Sequence, residues 1–155
     1  MAVRGLYVVR FAALSVSTIK TLIQVKAGAN AGLELVRAVL SQNGSTTSTE
    51  QDVQILRKSA AATVTSFTPL LLNPNDSAAQ AAGGTSATGY NASAEGTDGD
   101  ILVDDTWNIL TSWNWCWIPE ERPTVAPGGI IGLKLQTAPA SALTIKASLY
   151  FRELV

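Results

Sequence analysis

Five carboxylates flank the most aromatic stretch of the chain and are the side chains best suited to chemistry. Asp100, Asp104 and Asp105 precede that stretch, and Glu120 and Glu121 follow it. A pair of carboxylates can hydrolyse a glycosidic bond, and several together can hold calcium. Their spacing does not match a calcium-binding EF-hand loop, and acidic pairs are common on surface turns. We therefore expect these residues to be turn carboxylates without a catalytic or metal-binding role.

The single cysteine, Cys116, is the only thiol nucleophile available. A catalytic thiol needs a partner base, and the sequence contains no histidine. The thiol is therefore expected to be inert and half-buried. With one cysteine no intrachain disulfide can form, which fits assembly in a reducing cytoplasm. We find no other motif for catalysis, a cofactor or a metal, so the sequence predicts none of these sites and no enzymatic activity.

All four tryptophans lie between the two groups of carboxylates, in the segment DDTWNILTSWNWCWIPEER. In an extended chain, alternate side chains point to the same face, so Trp107, Trp113, Trp115 and Trp117 share one face. Exposed, such rings stack on sugars; buried, they fill a core or a seam between subunits. Long aromatic stretches within an apolar chain are usually buried. The pattern predicts one long central strand, ended by Pro119, with the four tryptophans as core or subunit-seam anchors.

Composition limits the class of protein. The chain has 155 residues, an apolar fraction of 46%, a charged fraction of 15% and a net charge of −1. This length suits one domain with a sizeable core. Low charge in a soluble chain indicates that partners cover part of its surface, and the near-neutral balance argues against direct nucleic-acid binding. No apolar run is long enough for a membrane span, and Arg10 interrupts the only stretch that resembles a signal peptide.

The remaining segments read as strands. Residues 6–16, 19–26, 53–58, 63–68 and 131–135 are strand-like, and residues 143–152 alternate cleanly between apolar and polar side chains. In residues 19–26, Ile19, Thr21, Ile23 and Val25 are predicted to face inward, with Leu22 as the exception. Residues 33–42 fit a short helix or a strand; we favour a strand, because strands surround them.

Two segments are predicted to lie outside the core. Residues 73–100 are rich in glycine, alanine and serine, which predicts a long irregular surface excursion that is either disordered or ordered by a neighbouring chain. Residues 1–5 form a candidate N-terminal arm. With no helical rhythm elsewhere, the sequence predicts an all-β, single-domain antiparallel β-sandwich over residues 1–155, jelly-roll-like in form.

Two parts of the sequence resemble a known family. They are FAALSVSTIKTLIQVKAGANAGLELVRAVLSQ in the first half, and WNILTSWNWCWIPEERPTV followed by PGGIIGLKLQTAPASALTIKASLYFRELV in the second. These segments resemble small virion proteins of tailed bacteriophages that act as capsid decoration, or cement, proteins. Their most specific parts are residues 113–122 and the APASAL turn with its closing strand.

The resemblance implies a non-enzymatic structural protein of the virion. It would bind the outer surface of the capsid after assembly in the host bacterial cytoplasm, with the major capsid protein as its partner. It would associate with itself as a trimer, or alternatively as a dimer, and would need no cofactor. Many weak contacts repeated around a closed shell would then add by multivalency. The alternative function is a carbohydrate-binding module or phage adhesin that uses exposed tryptophans.

Overall fold

Two antiparallel sheets form a sandwich-like single domain, which confirms the predicted all-β class. The structure is a computed structural model that describes residues 2–155. Its strands are β1 (Val3–Val16), β2 (Lys20–Lys26), β3 (Gly32–Asn43), β4 (Glu50–Ala60), β5 (Thr63–Ser66), β6 (Leu70–Leu71), β7 (Gly89–Ala94), β8 (Thr97–Asn108), β9 (Trp113–Cys116), β10 (Thr124–Val125), β11 (Ile130–Leu135) and β12 (Leu143–Leu154). A short 3₁₀ helix spans Pro119–Glu121. No helix among residues 2–155 has the length and apolarity to cross a bilayer.

The strands divide between two sheets. Sheet 1 has the order β10-β3-β12-β1-β6, and β9 pairs with β3 beside β10. Sheet 2 has the order β5-β7-β2-β11-β4-β8. The helix-or-strand ambiguity of residues 33–42 is resolved as β3, which pairs with β12 along most of its length.

The alternating strands supply the core between the sheets. On β12, Leu143, Ile145, Ala147, Leu149 and Phe151 are all buried, as their spacing predicts. Sheet 2 faces them with the buried side chains of Ile131, Leu133 and Leu135 on β11. Alternate residues of a strand point to opposite faces, so the remaining residues of β11 point away from this core.

A β-bulge in β2 corrects the predicted facing of residues 19–26. Leu133 pairs with Ile23 and Lys134 pairs with Thr21, so Leu22 is an extra residue without a partner on β11. The extra residue reverses the alternation. Leu22 therefore lies in the core, whereas Ile19 is 47% exposed. The prediction that Ile19 and Thr21 face the core is wrong for this reason.

The tryptophan segment is not one central strand. β8 ends at Asn108, a turn follows, and β9 begins at Trp113. The two strands belong to different sheets, and among residues 2–155 each has one strand neighbour. β8 pairs with β4 in sheet 2, and β9 pairs with β3 in sheet 1. The chain therefore crosses from sheet 2 to sheet 1 inside the segment. The crossing could not be predicted from the alternation of side chains, because the turn keeps both Trp107 and Trp113 on the inward side.

The predicted excursion over residues 73–100 is largely ordered by the chain itself. Residues 89–94 form β7, which pairs with β2 and β5, and β8 begins at Thr97. Two hydrogen bonds tie the loop before β7 to sheet 1. The Tyr7 hydroxyl donates to the carbonyl of Ser77 in the loop, and the amide of Ala81 in the loop donates to the buried Glu153 carboxylate. The interpretation of the whole stretch as an irregular loop is wrong, because small residues here form strands that approach other backbones closely.

The predicted N-terminal arm is also corrected. The Ala2 amide donates to the Val155 carbonyl at 2.8 Å, the Val155 amide donates back at 2.9 Å, and β1 begins at Val3. Residues 2–5 therefore extend sheet 1 rather than leaving it. Met1 lies outside the described residues.

Candidate functional site

The tryptophan corner, residues 107–117, anchors the two sheets to each other. Trp107, Trp113 and Trp117 are 1%, 6% and 8% exposed and belong to the main core. The Trp107 indole N–H donates to the Thr111 carbonyl at 2.7 Å, and the Trp113 indole N–H donates to the Asp105 carboxylate at 2.9 Å. A buried indole needs such a partner for its one polar atom. The corner is thus held by ring burial and by two hydrogen bonds.

The ring of Trp115 lies between those of Trp113 and Trp117 and is only partly buried. It stacks on Trp113 with ring centroids 6.1 Å apart and meets Trp117 edge-on at 6.5 Å. The rings therefore pack on one another and into the core, and they do not form a row open to solvent.

We expect acrylamide to quench mainly one of the four indoles, because only Trp115 is partly exposed. The native fluorescence should be blue-shifted, and Trp115→Phe should remove most of the quenchable signal. Trp107→Phe is the matched control and should leave that signal in place. Uniform quenching of all four tryptophans would contradict the described packing.

The five carboxylates considered for catalysis do not converge. Asp104 accepts a hydrogen bond from Gln54 on the outward face of sheet 2, whereas the neighbouring Asp105 turns inward to Trp113. Asp100 is exposed, and Glu120 and Glu121 lie on the exposed 3₁₀ helix. Adjacent residues of a strand point to opposite faces, so the Asp104–Asp105 pair cannot act on one bond. Among residues 2–155, no group of three or more histidine, cysteine, aspartate or glutamate side chains is placed to hold a metal ion.

Cys116 is exposed rather than half-buried. It lies on β9 opposite Arg37 of β3, on the face that points away from the core. The inward positions of β9 are taken by the tryptophans, so the residue between Trp115 and Trp117 must face outward.

A cluster of two lysines and two carboxylates, which we call the lysine cluster, was missed by sequence reasoning. Lys58 and Lys134 have side chains that are 0% and 9% exposed. Asp98 bonds to both ammonium groups, and the Glu95 carboxylate lies 3.6 and 3.7 Å from them. Glu95 also accepts hydrogen bonds from the amide and the hydroxyl of Thr21. The cluster ties the β7–β8 connection across the outward face of sheet 2.

Charge pairing determines the protonation of Asp98. Burial alone would raise the pKa of Asp98, but hydrogen bonds and charge attraction from Lys134 and Lys58 outweigh it and hold that pKa below its usual value. The carboxylate is therefore ionised throughout the physiological range. Such an arrangement stabilises a fold and offers no free acid or base. The only sequence signal was Lys134, a lysine within the otherwise apolar strand β11, because Lys58 lies among the polar residues of β4.

The outward face of sheet 1, formed by strands β6, β1, β12, β3 and β9, is one of the two broad surfaces of the sandwich; we call it the sheet 1 face. At its centre the Arg37 guanidinium lies 4.4 Å from the centroid of the Tyr150 ring. A shallow pocket beside this pair is lined by Leu6, Val36, Leu72 and Cys116. The centre of the face therefore combines an aromatic ring, an arginine and apolar side chains.

Charges are distributed unevenly between the two outward faces. By strand alternation the sheet 1 face carries Arg10, Arg37, Lys146 and Arg152, none of which lies within salt-bridge distance of a carboxylate among residues 2–155. Its carboxylate, Glu34, is paired with Arg122 at 3.5 Å. On sheet 2, the exposed part of β4 and β8 carries carboxylates instead: Glu50, Asp52, Asp100 and Asp104. Although the net charge is only −1, the sheet 1 face is basic and the outward face of sheet 2 is acidic.

Comparison of the chain with protein-family models, with curated proteins and with solved structures finds no significant match.

Proposed function

We propose that this chain is a non-enzymatic virion structural protein that binds the outer surface of a tailed-phage capsid and stabilises contacts between capsomers of the major capsid protein. The observation that carries the proposal is the sheet 1 face, with its central Arg37–Tyr150 pair and its four cations. Tyrosine and arginine are enriched at the centres of protein interfaces and supply much of their binding energy.

The size of the sheet 1 face suits a protein partner. β12 has 12 residues, so at about 3.3 Å per residue it is about 40 Å long. Neighbouring strands are about 4.8 Å apart, and because β6 and β9 have only two and four residues, the five strands together present about 700 Å². That area is close to the share each partner contributes to a standard protein–protein interface. The face is therefore large enough for a protein partner.

The charges favour an acidic protein surface over a nucleic acid. The four cations are separated by apolar and hydroxyl side chains, and the sequence pI is about 5.3. A nucleic-acid interface has a denser basic patch and a high pI. Because the opposite face is acidic, the charges also favour one orientation on an acidic shell.

The finer features of the proposal follow the family resemblance. They are a jelly-roll connectivity of the sandwich, self-association as a trimer or alternatively a dimer, and a place on the outside of the virion. The carbohydrate-binding alternative requires exposed indoles, and three of the four lie in the core.

The proposal is tested with capsids that lack this protein. Purified chain is mixed with emptied or expanded heads of the phage that encodes it, and binding is measured by co-sedimentation. We expect saturable binding and a rise in the temperature at which the heads disrupt. The double variant Arg37→Glu/Arg152→Glu should bind at least about tenfold more weakly, because both reversals oppose an acidic partner.

Arg57→Glu is the control, since it makes one charge reversal of the same kind on β4 of sheet 2. It should bind as the native chain does. Failure of the native chain to bind heads would overturn the proposal, and equal losses in both variants would remove the sheet 1 face from it.

A further inference from the structure

One edge of sheet 1 is open beside an aromatic cleft. β1 pairs with β12 along its whole length, but on its other side only Tyr7 and Val8 pair, with the two residues of β6. From Val9 to Val16 that edge has no strand partner among residues 2–155. An unpaired edge presents a row of main-chain donors and acceptors, which an extended peptide satisfies.

A cleft of about 450 Å³ lies against this open edge, between β1 and the β5–β7 side of sheet 2. Phe11 and Tyr90 stack in it with ring centroids 5.6 Å apart, and Phe67 meets Tyr90 edge-on at 6.0 Å. Phe67 and Tyr90 are only partly buried. The cleft therefore offers aromatic surface to a side chain of an incoming strand.

The residues of the edge leave the cleft accessible. Ala12 and Ala13 form a β-bulge without partners on β12, and both are exposed. Their side chains are too small to cover the rings. A larger residue at either position would fill the space that an incoming strand needs.

The charges of the cleft define the kind of peptide it accepts. Arg10 is at the rim of the cleft, with its side chain on the sheet 1 face, and the Lys20 ammonium donates a hydrogen bond to the side chain of the lining residue Asn91. Among residues 2–155, no carboxylate lines the cleft. The complementary strand therefore carries acidic side chains beside the apolar residue that enters the cleft.

The other long open edge, that of β8, is protected against pairing. β8 carries Asp98, Asp100 and Asp104, and its register with β4 shifts at three places. Charges and bulges are the usual devices that keep an edge strand from adding another strand. β1 has one bulge and no carboxylate along its open part. The two edges thus differ in the features that decide whether a strand can add.

We infer that the open edge of β1, residues 9–16, binds an extended, carboxylate-bearing segment of a partner chain by strand addition, with an apolar side chain of that segment in the Phe67–Tyr90 cleft. The inference deepens the proposed function and rests on it for the source of the segment, a chain of the capsid shell.

The first experiment compares amide hydrogen exchange of the free and head-bound protein. Strand addition protects residues 9–16 in the bound state. Docking by the sheet 1 face alone covers outward side chains of β1 but leaves the main-chain edge of residues 9–16 unpaired. Exchange there would then stay close to that of the free protein, which would overturn the inference while the proposed function stands. If the chain does not bind heads, the proposed function fails and the inference is decided by the second experiment.

The second experiment uses a display library of random peptides, about ten residues long, selected on the full-length chain. We expect enriched sequences that alternate apolar residues with Asp or Glu. Ala13→Pro should weaken their binding at least about tenfold, because proline removes a main-chain donor at a position without a partner on β12. Arg10→Glu should weaken binding about as much through charge repulsion.

Asp100→Pro is the matched control, since it places proline in a register shift of the other open edge. It should leave peptide binding within about twofold, and circular dichroism should show that each variant is folded. Absence of enrichment, or binding that Ala13→Pro and Arg10→Glu do not alter, would overturn the inference.

Discussion

Trp107→Ala should lower the free energy of unfolding by about 3–5 kcal/mol, the largest loss we expect from one substitution. The indole is 1% exposed and belongs to the core between the sheets. Its N–H also holds the Thr111 carbonyl at 2.7 Å in the turn that carries the chain from β8 to β9. Alanine leaves a large cavity and frees that turn. Chemical denaturation followed by far-ultraviolet circular dichroism measures the effect.

Trp115→Ala is the matched control for this prediction. The same atoms are removed, but the side chain is only partly buried, so the loss should be about 1–2 kcal/mol. Equal losses at the two positions would show that the corner does not pack as described. A loss for Trp107→Ala below that for Trp115→Ala would reverse the assignment of the buried ring.

Asp98→Asn should lower the free energy of unfolding by about 2 kcal/mol at neutral pH. The change leaves the buried Lys58 and Lys134 ammonium groups with Glu95 as their remaining carboxylate, at 3.6 and 3.7 Å. Removing one partner of a fully buried ion pair lowers the free energy of unfolding by more than about 2 kcal/mol. The loss is smaller here because the Asp98 side chain is 30% exposed and water screens part of its attraction to the lysines.

The effect of Asp98 should depend on pH in a defined direction. Its pKa is lower in the folded chain than in the unfolded chain. A group of this kind stabilises the fold above its unfolded pKa, about 3.9 for aspartate, and the contribution is lost as the pH falls through the folded pKa. The difference between the native chain and Asp98→Asn should therefore be full near pH 7 and shrink toward zero as the pH falls through the lowered pKa of the folded chain.

Asp104→Asn is the control on the same strand. Asp104 is exposed and accepts one hydrogen bond from Gln54, so its replacement should change the free energy of unfolding by less than about 0.5 kcal/mol. A difference for Asp98→Asn that stays constant from pH 7 to acid would contradict the pairing described for the lysine cluster.

The sequence allowed prediction of those strands whose pattern is local. β12 alternates without interruption, so its inward residues were identified from spacing alone. β3 was assigned from its neighbours, since its own residues fit two periods. For β12 the pattern of the strand itself was enough, because a two-residue period determines the face of every side chain.

The remaining features depend on contacts between distant segments. The bulge at Leu22 is defined by its pairing with β11, and Lys58 meets Asp98 only because β4 and β8 pair. The turn after Asn108 interrupts β8 without interrupting the alternation of its large side chains. A residue pattern records which face a side chain takes, and it does not record which strand lies alongside.

The pairing of β1 with β12 has a consequence for synthesis on the ribosome. Residues 3–16 are made first among the strands, yet their main partner, residues 143–154, is made last. Closing a loop of well over a hundred residues costs chain entropy that no local contact offsets, and pairings so distant in sequence form slowly. β1 must therefore stay unpaired on that side until residues 143–154 have emerged, so sheet 1 completes only after they are translated.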